Sequence, residues 1–433
     1  MLNTNYTSIQ QINPVLVQQN RHIFVPQQKD MSSFENIHLD KKILVDRGIL
    51  KPNEDINEFL KNIAQKATNN SNNAKFLSEL LQSGFVSFSS SIYTDINNPA
   101  SAVGLKLDKR KSTTQHCAQL EGFLSKGQGV GINFSSFNDP IKEIKEINSY
   151  FKFREPNLKR PPAGIALLNI NHPKIIDFIS LKDNKDYKNW CFDFSVVIND
   201  NFLDLVDKNQ NIELSDGTTK SAKEIYFKLL DSMLKSGEPG IIFSNEEDFI
   251  CDCCAATQLK ENEKLTLAQI NLAKFYNPNT QKIDYNFLST SASILASAIK
   301  NIDANGYIGI MGYQDLLNYL GINYGSKDAL NILENCLGAI KNQAIVNDVK
   351  TAISPTGTTA RFLKTSPSIE PRNNQNVTYY QELDTLAVAQ KYLDGSISKT
   401  INLKKKHTIQ DIDSIIRYSK ENNIKGISVF PAQ

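Results

Sequence analysis

A chain of 433 residues at 40% hydrophobic content can bury a large core, which allows either one large α/β barrel or roughly two to three domains. Forty-eight basic residues against forty-six acidic ones leave a net charge of +2 with no basic block, which argues against a nucleic-acid polymer as partner. No eighteen-residue apolar run, no secretory leader and no evenly spread cysteine framework occur, so the expectation is a cytoplasmic protein with no membrane partner and no structural disulfides.

In chain order, residues 1–33 are Gln/Asn-rich and weakly patterned, a loose N-terminal arm. Residues 34–84 carry helical spacing: "INEFLKNIAQKA" and "AKFLSELLQSG" repeat apolar positions at i, i+3, i+4 and i+7, and the second run stops at Gly84. Over 85–433, short apolar runs such as "GIALLNI", "FDFSVVI", "GIIFS" and "GYIGIM" alternate with longer amphipathic ones such as "SAKEIYFKLLDSMLKSG". Buried strands alternating with helices predict a mainly parallel α/β architecture. With no repeat and no Pro- or Gly/Ser-rich linker, residues 85–433 read as one catalytic domain behind a helical section.

Two stretches carry chemistry. "SPTGTTA" (354–360) offers the hydroxyls of Thr356, Thr358 and Thr359 and, at Gly357, close backbone approach; with Pro355 they can cradle a phosphate if a helix begins here, or simply cap that helix. "CDCCAATQL" (251–259) crowds three cysteines. A zinc knuckle there lacks a fourth ligand, the five histidines being scattered, so no metal site is assigned. Cys251 and Cys254 have C-x-x-C spacing and can form a redox pair, although the β-α-β context of a thioredoxin-like site is missing. Cys117, Cys191 and Cys336 lie in apolar runs as core residues, and His172 before Pro173 suits a cap or packing role. "GQGVG" alone is a poor nucleotide fingerprint.

Ten segments, among them "SKGQGVGINFSSF", "NHPKIIDFISLK", "GEPGIIF", "INLAKF", "SPTGTTA", "QKYLDGSISKTINL" and "IKGISVF", occur in the order found in the large catalytic chain of ribonucleotide reductases. Over roughly residues 80–430 the chain resembles that family, and most of all its adenosylcobalamin-dependent, class II branch. The resemblance implies a ten-stranded α/β barrel of two antiparallel-related five-stranded halves, with a finger loop at its centre. It also implies adenosylcobalamin as cofactor, a nucleotide or other anionic small molecule as ligand, and a homodimer. The finger-tip cysteine, which becomes a thiyl radical, aligns with Cys254, or with Cys253 if one gap intervenes. Val429 and Phe430 stand where the small-subunit-dependent branch has two tyrosines, which removes that radical relay.

The departures from the family pattern concentrate on one chemical step. The family's Asn-Pro-Cys-Gly-Glu finger places Asp252 at the Asn and Ala256 at the Glu, while Leu265 and Val103 replace the reducing cysteine pair. A methyl cannot act as a base and two apolar side chains cannot supply two electrons, so ordinary multiple-turnover reduction is not expected. Asp252 is left as the catalytic or substrate-binding carboxylate, with Cys251 and Cys253 as auxiliary thiols. The chain also ends at "VFPAQ" without the family's C-terminal cysteine pair, and its first 80 residues lack the pattern of an ATP-sensing domain. "KRPPAG" (159–164) stiffens a loop that in the family couples effector to base choice. Two function classes follow: a radical enzyme of redox-neutral chemistry, and a non-catalytic nucleotide-binding relative.

Overall fold

The computed structural model describes residues 39–158, 160–183, 189–371, 377–397, 400–403 and 407–430. The arm at 1–33, the start of the helical section and Lys159 of the Pro-containing loop lie outside them. The helical spacing folds as α1 (Lys41–Asp46), α2 (Ile56–Ala67) and α3 (Ser71–Gln82). Local capping sets their starts: Asp55 accepts from Glu58 N at 2.9 Å, and Asn70 accepts from Asn72 N at 2.9 Å. Gly84, at φ +70°, lets the chain leave α3 and enter β1 (Val86–Phe88).

The barrel follows. Strands β2 (Ala102–Leu105), β3 (Gly129–Asn133), β4 (Gly164–Asn169), β5 (Phe192–Ile198) and β6 (Gly240–Phe243) lie side by side, all parallel. The second half begins with β7 (Lys264–Leu265), which continues after one residue as β8 (Leu267–Asn271). It proceeds through β9 (Tyr307–Met311), β10 (Lys350–Thr351), β11 (Thr400–Asn402) and β12 (Gly426–Phe430). Here too the neighbours are parallel, with an Ile353–Ile397 bridge linking the end of β10 to the approach to β11. Two antiparallel seams join the halves: Gly426 of β12 faces Ile242 of β6, and Ala102 of β2 faces Leu265 of β7. Counting β7 and β8 as one bent strand, this is the expected barrel of two five-stranded halves.

Burial explains the parallel arrangement. Every residue of β3, β8 and β9 is buried, because helices cover the outer face and the finger fills the inner one. Helix Ala222–Ser236, for example, buries Ile225, Leu229 and Met233 before Gly237, at φ +81°, turns the chain into β6. None of the described helices is long and apolar enough to cross a membrane.

Candidate active site

Residues 244–263, between β6 and β7, form the finger. Two amides at strand ends hold its base: Asn133 Nδ2 donates to Phe249 O and Asn169 Nδ2 to Glu247 O, both at 2.9 Å. A bridge between Cys251 and Gln258 closes its two arms. The finger presses so closely on β2 and β3 that glycine is required there. A Cβ on Gly131 would overlap the Cys251 carbonyl, one on Gly129 would overlap the Cys253 side chain, and one on Gly104 would lie 2.8 Å from Ile250. The last two glycines of "GQGVG", Gly129 and Gly131, thus make room for the finger, a role that spacing alone did not reveal.

At the tip, Asp252 N donates to Thr257 O at 3.0 Å and Ala255 N to Asp252 O at 3.1 Å, forming a tight turn. The Asp252 carboxylate is buried inside it, accepting from Cys254 N at 3.0 Å and Thr257 N at 2.7 Å. Burial pushes its pKa up to about 6, against the opposing pull of these amides. Asp252 does not line the cavity described below, and each of its carboxylate oxygens accepts an amide of the turn, which orders the tip around Cys254. Ala255, at φ +54°, adopts the left-handed backbone that suits the glycine of the family pattern, which supports the register on Cys254. Ser396 clamps the tip through its N–H to Ala256 O at 2.8 Å and its hydroxyl to Ala255 O.

The three cysteines diverge. Cys251 is buried with Ile165, Leu167, Val197 and Ile242 of the first half and with Phe249 of the finger itself. Cys253 packs across the barrel on Ala102, Leu259, Leu265, Leu267, Tyr307 and Ala352. The turn therefore points Cys251 and Cys253 at opposite walls. The sulfur beside Cys254 is that of Cys253, at 3.6 Å, so the C-x-x-C pairing expected of Cys251 and Cys254 gives way to the adjacent pair. The Asp252, Cys253 and Cys254 donor atoms lie within 4.8 Å of one another, though the Asp252 oxygens are already committed to amides.

Cys254 is the exposed cysteine of the three, and both it and Cys253 border a cavity of about 380 Å³. Although its surface opens to the cavity, its hydrogen bond with Cys253 and then desolvation by the protein packed around the cavity hold the Cys254 thiol well above the usual range, so it is protonated at neutral pH. Facing the sulfurs are Asp193, Ser195, Glu238, Thr400 and Ser428. Lys182 compensates the carboxylates: its ammonium lies 2.6 Å from Glu238 and 3.8 Å from Asp193. Burial nonetheless raises Glu238 to about 7. Val429 and Phe430, at the positions of the family's tyrosine pair, line the same cavity, as does Pro355. The cysteines and the start of "SPTGTTA", just over a hundred residues apart in sequence, thus meet at one space.

A helix does begin at Gly357, running to Leu363. Thr356 does not cap it with its side chain: its hydroxyl accepts from Ser368 N at 2.9 Å, and Thr359 donates to Thr356 O at 3.1 Å. Two of the three expected threonine hydroxyls are thus tied into the loop. Thr358 and Gly357 remain at the solvent side, with open space above Gly357.

At the seam, the register corrects one residue. Ala102, not Val103, is opposite Leu265 and shares its apolar cluster with Cys253; Val103 pairs with Lys264. Successive strand residues face opposite sides, so a one-residue slip in alignment changes the face. Ala256 is wholly buried beneath Gly395, whose Cβ would come within 2.9 Å of its carbonyl. His172 is a buried packing residue, its Nε2 2.9 Å from Phe137 O and its Nδ1 accepting from Lys174 N. Cys336 is buried, while Cys117 and Cys191 are half-buried. Lys182, Glu238 and Ser396 were not singled out in the sequence; the only hint was that Glu238 precedes a proline within "GEPGIIF".

Comparison with known proteins agrees with this architecture. Residues 106–346 match the ribonucleotide reductase barrel domain. A vitamin B12-dependent ribonucleoside-diphosphate reductase of Thermoplasma acidophilum is 25% identical over 63% of this chain and 51% of its own length. One of Mycobacterium tuberculosis is 24% identical, over 60% of this chain and 42% of that protein. The chain spans about half the length of the curated relatives it matches. The class Id ribonucleotide reductase alpha subunit of Actinobacillus ureae shares the fold, with a TM-score of 0.72 at 14% identity over 92% of this chain and 98% of that one. With more than half of its length matched to the domain and its finger seated between two parallel five-stranded halves, this chain belongs to the ribonucleotide reductase barrel family.

Proposed function

We propose that this chain is a ribonucleotide-reductase-like radical enzyme in which Cys254 exchanges a hydrogen atom with a nucleotide or related anionic substrate. The carrying observation is that Cys254 opens onto the central cavity as a neutral thiol, the form from which a hydrogen atom can be removed. Asp252 and Ser396 fix the turn that presents it. Cys254 takes a hydrogen atom from substrate carbon and returns one at the end, so this part of the cycle is redox-neutral.

The radical source is adenosylcobalamin, in keeping with the vitamin B12 dependence of the two relatives. A cavity of about 380 Å³ suits a nucleoside-sized arm, and Asp193, Glu238, Ser195 and Ser428 can meet ribose hydroxyls and base amines. When bound, that cofactor supplies an adenosyl radical able to take hydrogen from a thiol. The phosphate group of the substrate rests on Thr358 and the first-turn amides at Gly357, which have no helical acceptor. The buried hydroxyls of Ser354 and Ser368 beside them have no partner among the described residues, which leaves them for a ligand.

Net reduction is not part of this reading. Ala102 and Leu265 close the wall where two thiols would be needed, and Ala256 replaces the carboxylate. The products are those of isomerisation or elimination, and the protein works in the cytoplasm as a homodimer. The test is anaerobic incubation with adenosylcobalamin and a panel of ribonucleotides, followed by EPR. A cob(II)alamin signal coupled to a thiyl radical, lost in Cys254→Ala, is expected. Nucleotide binding without any such signal would instead favour a non-catalytic binding subunit.

A further inference from the structure

The finger holds a thiol that hydrogen-atom exchange does not use. Cys253 sits next to Cys254 with its sulfur 3.6 Å away, packed on Ala102 and Leu265 and so close to Gly129 that a Cβ there would overlap its sulfur. Its neighbour faces a cavity large enough to admit a small oxidant. Cys251, the remaining cysteine of the finger, packs on the opposite wall.

We propose that Cys253 and Cys254 are a modification site: a small-molecule disulfide converts them to a reversible vicinal disulfide, which withdraws Cys254 from radical chemistry and protects it from irreversible oxidation. In this exchange one sulfur attacks the reagent and displaces one of its thiols. The second sulfur then displaces the other. The reagent's S–S bond breaks, the Cys253–Cys254 S–S bond forms, and both protein thiol hydrogens leave on the two released thiols. The protein pair is oxidised by two electrons and the reagent is reduced by two.

Geometry makes the bond a switch rather than a staple. The sulfurs need to approach from 3.6 Å to a bond length of about 2.05 Å, which side-chain rotation at the exposed Cys254 can supply. Adjacent Cα atoms are only about 3.8 Å apart, below the roughly 4.4–6.8 Å of ordinary disulfides. The ring is therefore strained, and a strained disulfide is easily reduced. Because the thiolate is the attacking species, formation accelerates as pH rises.

The test exposes the full chain, prepared without oxygen, to excess oxidised glutathione, removes the reagent, then unfolds the chain, blocks free thiols and measures mass. The expected result is that four of the six cysteines stay reactive, with no glutathione retained. Fragmentation places a link, lighter by two hydrogens, between Cys253 and Cys254, and dithiothreitol restores both thiols. Cys251→Ser behaves like the natural chain, whereas Cys253→Ser retains a glutathione adduct on Cys254. A stable adduct on Cys254 of the natural chain, a link to Cys251, or six reactive thiols after treatment each overturns the proposal. The consequence for radical chemistry rests on the reading of Cys254 as hydrogen carrier: oxidised protein should give no thiyl signal with adenosylcobalamin, and reduction should restore it. If the mass shift appears and the signal is missing even from reduced protein, that reading fails and the disulfide stands.

Discussion

The two sides of the finger tip have been built for different purposes. On the cavity side, Cys254 faces carboxylates, hydroxyls and, behind them, the buried ammonium of Lys182. On the seam side, Cys253 faces Ala102, Leu265, Leu267 and Tyr307, a largely apolar wall. Where the family pattern calls for two thiols, this wall offers close packing instead. On the proposed reading, the polar surroundings of the hydrogen-carrying thiol are kept, while apolar side chains fill the wall where the family pattern has its thiols.

The largest effect that can sharpen this contrast belongs to the charged side. Lys182→Met leaves Glu238 buried without its cation, which should cost about 3–5 kcal/mol at pH 8 in urea unfolding. Glu238 already titrates near 7 in the folded state, above its unfolded value of about 4.3, so its neutral form is the one folding favours. Its contribution is complete at low pH and is lost as pH rises through 7. The defect of Lys182→Met should shrink toward pH 5, and an equal defect at both pH values would show that Lys182 is not the compensating charge.

Next comes the packed side. Gly131→Ala sets a methyl into the Cys251 carbonyl and should cost about 3 kcal/mol, together with the Cys254 radical signal. Gly122→Ala is the matched control: it meets nothing within 4 Å and lies in helix Thr113–Leu124, so the melting temperature should hold or rise. Equal losses in the two variants would refute the role of Gly131 in seating the finger.

The wall itself can be rewritten. Ala102→Cys with Leu265→Cys places thiols on directly opposed residues and should yield a cross-strand disulfide on oxidation, visible by mass after digestion. In the reduced state the truncated leucine should cost about 2 kcal/mol. Val103→Cys with Leu265→Cys should not bridge; if it does and the first pair does not, the seam register is wrong by one residue.

The smallest effect concerns the turn. Ala255→Gly relieves a left-handed backbone worth about 1–2 kcal/mol but adds freedom to the unfolded chain. The net gain should stay below about 1 kcal/mol, read from the urea midpoint. A clear loss would mean that the methyl of Ala255 packs better than the strain it carries.

Periodicity and order carried much of this into the sequence. The 3.6-residue spacing of "INEFLKNIAQKA", the buried strand runs and the stop at Gly84 depend on neighbours only a few residues away, so each was readable before the chain was folded. Cys254 was legible for a related reason: its distance from "INLAKF" is a property of the chain. The role of Asp252 was not, because an acid two residues before a cysteine looks the same whether its oxygens reach a substrate or its own backbone. Nor was the choice between Ala102 and Val103, since pairing across a seam joins strands more than a hundred residues apart.

What the sequence determined by itself is the alternation of strands and helices and the cluster of thiols, because backbone propensity and covalent spacing are local. Only the tertiary structure decided that Cys253 and Cys254 border the cavity, that Cys253 also backs onto the seam, and that three glycines were conceded to the finger. These are consequences of close packing between remote segments, where a single methyl group or a one-residue shift changes which atoms can touch.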